Sequence, residues 1–117
     1  MEAAVILTKC PKYKKVYGMR VQKMPDNDWW RTWTFPIDEK RAHREGYDVT
    51  RILGNLNCTD DYPGCPYCGA MGFVECGRCG KLSCWSGEKS VKCEWCGVTM
   101  TSISVNTEKF SLKGGDI

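Results

Sequence analysis

Seven of the nine cysteines fall between Cys65 and Cys96, in the pattern C-x2-C-x7-C-x2-C-x4-C-x8-C-x2-C. Three of these pairs are C-x2-C, and a glycine follows each: Gly69, Gly80 and Gly97. Two thiolates three positions apart can grip one tetrahedral ion only if the chain turns sharply between them. Glycine just after the pair takes positive φ at no steric cost. Backbone N–H groups in such a turn can aim at the sulfurs. A single C-x2-C could be a redox pair, but three in one short run read as metal-binding knuckles. A disulfide framework would require an oxidising compartment. The stretch Met1 to Lys9 has no basic region ahead of a long apolar run, so it does not read as a secretion signal. An odd number of cysteines also fits a closed disulfide set poorly. The expectation is therefore a reduced, cytoplasmic protein that holds zinc.

Two tetrahedral sites need eight ligands, and the run supplies seven. Cys76, Cys79, Cys93 and Cys96 make the simplest ribbon, with a hairpin between the pairs. Cys65, Cys68 and Cys84 then lack a fourth ligand. Cys10, Cys58 and His43 are the candidates, and Cys10 is favoured because it ends an apolar run that reads as a strand. Bridging it to the cysteine run would staple the N-terminal part onto the metal module. Pairing Cys65 and Cys68 with Cys93 and Cys96 stays open. His43, the single histidine, also reads as a surface residue.

Sites closed by four cysteines are structural and leave no position for water, whereas a catalytic zinc needs an open one. The chain has one histidine, no H-E-x-x-H, no phosphate-binding glycine loop and no G-x-S-x-G. It therefore reads as a binding module with no catalytic residue. The chain has 117 residues and a formal charge of +3. Eight thiolates with two divalent ions contribute a net −4, taking that charge to about −1. A near-neutral loaded protein weakens the competing reading, a nucleic-acid-binding zinc ribbon using Lys12, Lys14, Lys15, Arg20, Arg41 and Arg44. No apolar run approaches the ~20 residues of a spanning helix.

Around these residues the sequence predicts a mainly β fold: a small antiparallel N-terminal sheet with one short helix, plus a zinc-ribbon module holding two zinc ions. Val5 to Leu7 reads as a strand closed by Cys10-Pro11. The lysines at 12, 14 and 15 read as a solvated strand edge, with a phosphate-binding patch as the alternative. Val16 to Met24 alternates with Tyr17, Met19 and Val21 on one face. Pro25 to Asp28 signals a turn. Trp29 to Phe35 alternates again, with Trp29, Trp33 and Phe35 expected to pack on the metal module. Trp30, Thr32 and Thr34 then face outward with Arg20. Trp30 and Arg20 are the candidate partner-binding residues, since an aromatic beside an arginine has the composition of an interface hot spot. Trp30 could instead cover Val49 or Ile52.

Asp38 to Glu45 reads as a helix with Asp38 as N-cap and Gly46 as its stop. Val49 to Leu56 reads as a strand or an irregular segment. Within the cysteine run the order is knuckle, strand, knuckle, strand, strand, knuckle, with Lys81 to Trp85 and Ser90 to Lys92 paired as a hairpin. Val98 to Val105 adds a further strand. The organisation is thus 1–60 β-rich, 61–105 zinc ribbon and 106–117 a fraying tail, forming one integrated domain.

Several blocks together resemble one family. They are Leu7-Thr8-Lys9-Cys10-Pro11, Trp30-Arg31-Thr32-Trp33, Ile37-Asp38-Glu39-Lys40 and Arg44-Glu45-Gly46. To these are added Tyr62 to Gly69, Cys79 to Trp85 and Cys93 to Gly97. From about Val5 to Gly97 the chain resembles the TerY-C metal-binding domain. The resemblance implies a zinc-dependent interaction module that usually follows a von Willebrand factor A domain. It also implies bacterial tellurite-resistance and stress-response assemblies, with a protein kinase and a metal-dependent protein phosphatase as companions. The chain carries no von Willebrand domain, so it is expected to be an excised domain or a stand-alone member. That Cys10-Pro11 belongs to the resembling blocks adds to the choice of Cys10 as a ligand.

Overall fold

The computed structural model describes residues 3–46, 50–54, 56–101 and 110–116. Strand β1 (Ala3–Cys10) pairs antiparallel with β2 (Lys15–Lys23), and β2 with β3 (Trp29–Pro36). The alternation in the first two strands delivers what period two demands. Ala4, Ile6, Met19 and Val21 are buried together with Trp29, Leu56, Tyr62 and Leu82. The turn after β2 uses Asn27 at φ 67°, with the Asp26 carboxylate accepting from the Asp28 N–H at 2.9 Å. Asn tolerates this left-handed conformation better than most residues.

The third strand departs from simple alternation. Arg20 pairs with Trp33 and Val21 with Arg31, so Thr32 is an extra residue, a β-bulge. A bulge shifts the phase of every side chain beyond it. Trp29 and Arg31 point inward, but after Thr32 it is Thr34 that is buried. Trp33 is 53% exposed, so the expectation that it packs on the metal module is corrected. Thr34, expected outside, is inside. Phe35 lies over Gly18 of β2, where an added Cβ would collide with its ring.

Helix α1 (Glu39–Arg44) covers the opposite face of β1–β3. Its N-cap is Asp38, whose Oδ1 accepts from the Arg41 N–H at 2.7 Å. Ala42 packs with Val16 and Ile37, and Leu7, Phe35 and Trp95 close around them.

The chain then forms β4 (Thr50–Gly54) and β5 (Leu56–Cys58), where one strand or an irregular stretch was expected. The sheet order is β4-β10-β1-β2-β3-β5, β10 being Phe110–Asp116. Both ends of this path belong to one stretch of chain, because a single residue separates β4 from β5. The two ends of the path are thus neighbours in the chain, and the sheet curls round on itself as a small barrel. Residues 110–116, expected to fray, instead form the strand between β1 and β4. Val49, one of the residues considered as cover for Trp30, lies outside the described residues, as do residues 102–109.

The cysteine run adds β6 (Gly72–Glu75), β7 (Leu82–Trp85), β8 (Val91–Lys92) and β9 (Thr99–Met100). The expected pairing of β7 with β8 is not formed. β6 pairs with β7 and β8 with β9, each antiparallel. In both hairpins the knuckle itself is the turn, so the strands flanking each knuckle pair with one another. β7 also runs parallel to the C-terminal half of β1, joining the metal module to the barrel.

If β10 completes the barrel, deleting residues 110–117 removes a central staple. The truncated chain is expected to lose its cooperative thermal transition even with metal present. A melting temperature equal to that of the full chain would instead show a dispensable tail.

Candidate metal centres

The three knuckles have one geometry. The N–H of the first cysteine donates to a carbonyl five residues on: Cys65 to Ala70 at 2.9 Å, Cys76 to Lys81 at 3.0 Å and Cys93 to Val98 at 2.7 Å. The glycine N–H donates back to the carbonyl of that cysteine, at 2.9, 2.8 and 2.7 Å for Gly69, Gly80 and Gly97. Their φ angles of 80°, 73° and 85° are left-handed, which is why glycine follows each pair.

The first centre gathers Cys10, Cys65, Cys68 and Cys84, with all four sulfurs within 4.8 Å of one another. Cys68 Sγ lies 3.6 Å from Cys84 Sγ. A metal–sulfur bond of about 2.3 Å in a tetrahedron puts the sulfurs about 3.8 Å apart. The second centre gathers Cys76, Cys79, Cys93 and Cys96. Cys76 lies 3.7 Å from Cys96, and Cys79 lies 3.7 Å from Cys93. Both donor sets fit one tetrahedral ion each. Cys58 is exposed at the end of β5, and His43 is exposed on α1; neither belongs to a centre.

Cys10 reaches its centre through strand pairing. Thr8 is aligned with Leu82 and Lys9 with Ser83 in the parallel β1–β7 pair. The next residue on each strand is a cysteine, so Cys10 and Cys84 arrive side by side. The first knuckle is then tied to the barrel from both flanks. Thr34 Oγ1 donates to the Gly64 carbonyl at 2.6 Å, and Arg31 Nη1 donates to the Met71 carbonyl at 2.8 Å. Between them Tyr67 Oη donates to the Val16 carbonyl at 2.8 Å. Tyr17, fully buried against this centre, meets Tyr67 edge-on at 6.3 Å. Burial pushes the Tyr17 phenol up, which keeps it neutral.

Arg31 is a residue that sequence reasoning passed over. It is only 8% exposed, and its guanidinium sits 4.9 Å from the rings of both Tyr62 and Phe73. Cation–π contact and carbonyl acceptors hold it, with no carboxylate partner among the described residues. Its only sequence signal was sharing the inward phase of Trp29.

The second centre is attached more lightly. Trp95, inside its last knuckle, donates Nε1–H to the Leu82 carbonyl at 2.8 Å. Lys9 and Lys81 approach the Trp95 ring at 5.1 and 4.5 Å.

The sulfurs hold their protons unequally. In the first centre burial raises Cys65 to about 11 and pushes Cys84 higher still. Cys68 is lowered: burial opposes this, but the Ala70 N–H and the neighbouring thiols outweigh it. In the second, burial raises Cys79 to about 12. Cys76 falls to about 7 despite burial, because the N–H groups of Cys79 and Arg78 and the thiols of Cys96 and Cys79 favour its thiolate. Cys68 and Cys76 are thus pushed toward the thiolate and Cys65, Cys84 and Cys79 toward the thiol, whose protons a metal must displace.

A small barrel-like sheet carrying two four-cysteine centres defines a metal-binding domain. The family model of the TerY-C metal binding domain matches residues 1–116, and the chain belongs to that family. No curated protein and no solved structure gives a match. No helix among the described residues is long and apolar enough to cross a membrane.

Two tetrahedral metal ions per chain are expected by native mass spectrometry, and one ion would contradict the two-centre arrangement. Metal content should fall as pH falls, since every ligand must be a thiolate. Cys79→Ser should remove one ion and leave the barrel folded, whereas Cys10→Ser should remove the other and also lower the barrel's melting temperature. Equal effects of the two on the melt would contradict the unequal attachment. Arg31→Met leaves the Met71 carbonyl without its donor and should destabilise the fold by about 1–3 kcal/mol, read by chemical denaturation.

Proposed function

We propose that this domain is a non-enzymatic zinc-binding module that docks proteins in a bacterial stress-response assembly of the tellurite-resistance type. The observation that carries this reading is the pair of closed four-sulfur sets. Four thiolates around a tetrahedral ion leave no coordination position for water or substrate. Zinc suits such a set because it is redox-inert and takes tetrahedral sulfur without strain; iron is the competitor for the same donors. The loaded chain then belongs to a reduced compartment, the cytoplasm.

The docking surface is read on the outward face of β2 and β3. Arg20 lies there, its Nη1 donating to Thr32 Oγ1 at 2.8 Å and Gln22 Oε1 at 3.1 Å. Trp33 is its cross-strand neighbour, and the bulge at Thr32 turns this tryptophan toward solvent. Trp30 borders the patch, half-buried, with Nε1 donating to Asp26 Oδ2 at 3.1 Å. Two tryptophans around a pre-oriented arginine make a compact anchor of the kind found at interface centres. Partners drawn from the family association are a von Willebrand factor A domain, a protein kinase and a metal-dependent protein phosphatase.

Titration calorimetry of the zinc-loaded domain against each of these three purified proteins tests the reading. At least one is expected to bind, and Trp33→Ala should weaken that complex by ~2 kcal/mol or more with an unchanged melt. Arg20→Ala should act in the same direction. Binding by none of the three, or a complex indifferent to both substitutions, would overturn the assignment. Elemental analysis finding iron in place of zinc would overturn the cofactor.

A further inference from the structure

We propose that the concave pocket beside the first metal centre binds the phosphate of an organic phosphate monoester, and does so only while that centre is closed. The pocket has a volume of about 470 Å³ and is lined by Lys14, Lys15 and Arg41 over Val16, Ile37 and Tyr67. The sequence separates these cations by some 26 residues; the fold brings them to one cavity.

The charge balance favours an anion. Two carboxylates, Asp38 and Glu39, also line the pocket, and each is engaged within the protein. Asp38 accepts the Arg41 backbone N–H as the helix cap, and Glu39 meets Lys9 Nζ at 3.4 Å. Among the described residues none of Lys14, Lys15 and Arg41 is ion-paired, so they keep their charge for a ligand. Lys15 is placed by the Tyr67 ring, 5.6 Å from its Nζ. Lys14 is fixed by its backbone, whose N–H donates to the Cys10 carbonyl at 2.7 Å.

The shape narrows the ligand further. Three cations around one pocket, against two carboxylates already engaged, suit a doubly charged group better than a carboxylate. The cavity far exceeds a bare phosphate ion, and its apolar floor of Val16, Pro36 and Ile37 offers contact to an organic body.

The walls of the pocket are also the loops of the first centre. Lys14 and Lys15 follow Cys10, and Tyr67 stands between Cys65 and Cys68. A metal held by Cys10, Cys65, Cys68 and Cys84 joins those two walls, and its loss frees them. This inference is separate from the Trp33 surface and fails or stands without it.

NMR titration of the zinc-loaded domain with phenyl phosphate, inorganic phosphate and phenyl sulfate tests it. Phenyl phosphate should bind most tightly and shift the amides of Lys14, Lys15 and Arg41. The Lys14→Gln/Arg41→Gln variant, altered only at exposed side chains, should bind about tenfold or more weakly with an unchanged melt. A phosphoserine peptide of otherwise neutral sequence separates the two sources: binding at least as tight as phenyl phosphate assigns a phosphorylated protein segment, and weaker binding a small phosphate ester. Cys10→Ser should lose the site while Cys79→Ser keeps it. Tyr67→Leu, which leaves all four sulfurs in place, should weaken binding even if Cys10→Ser fails to fold. Equal affinity for all three small anions, or wild-type affinity in the Lys14/Arg41 variant, would overturn the proposal. Retention of full affinity by a folded, metal-depleted first centre would overturn its dependence on closure.

Discussion

The parallel contact between β1 and β7 is the interaction on which the rest of this structure depends. It aligns Thr8 with Leu82 and Lys9 with Ser83, and so delivers Cys10 to Cys84. Parallel pairing needs a crossover between the strands. Here that crossover comprises most of the barrel and the first knuckle. Closing so long a loop costs conformational entropy, although the cost rises only slowly with length. A metal bound by Cys10, Cys65, Cys68 and Cys84 offsets that cost directly, because binding free energy in a structural centre is folding free energy. The pairing and the centre therefore support each other.

The two centres differ in what they join. The second closes two adjacent hairpins and touches the rest mainly through Trp95, wedged beside Lys9 and Lys81. The first joins β1, β7 and a knuckle that β2 and β3 hold by three hydrogen bonds. Thr34 and Arg31 grip carbonyls on either side of that knuckle and so hold its two cysteines in place. Buried polar groups of this kind are costly when unpaired, which ties the geometry of the knuckle to that of the barrel. A metal in the first centre would crosslink β1, β7 and this knuckle and add its binding free energy to that of the apolar clusters.

On the proposed reading, the eight cysteines serve architecture and function lies on the surface. The bulge at Thr32 is consequential there. One extra residue in β3 exposes Trp33 beside Arg20 and buries Thr34, so a single irregularity makes both an outward aromatic face and an inward clamp. Bulges commonly re-aim a side chain in this way. The pocket of Lys14, Lys15 and Arg41 has a similar origin, since the turn that carries Cys10 into its centre also positions two of its lysines.

The sequence by itself determined the local chemistry. C-x2-C followed by glycine specifies a tight turn with a left-handed residue, and this is a property of a few neighbouring atoms. Asp38 as a helix cap and the alternation of Tyr17, Met19 and Val21 are local in the same sense, and so they were legible. Spacing made Cys76, Cys79, Cys93 and Cys96 the simplest group but left a pairing of Cys65 and Cys68 with Cys93 and Cys96 open, and the fold gathers the first set. What only the tertiary structure decided depends on contacts between distant segments. Cys10 was favoured over Cys58 and His43 because it ends an apolar strand, but the register that sets it beside Cys84 is one that no local pattern encodes. The pairing of β6 with β7 in place of β7 with β8 reflects knuckles that serve as hairpin turns, which spacing alone leaves ambiguous. Residues 110–116 looked like a fraying end because Lys113, Gly114 and Gly115 have low strand propensity. They form a strand because β1 and β4 present pairing groups on both sides. The phase of β3 was misread beyond Thr32, because a bulge changes the period without changing composition. Arg31 could be identified only once Tyr62, Phe73 and the Met71 carbonyl were brought around it by the curled sheet.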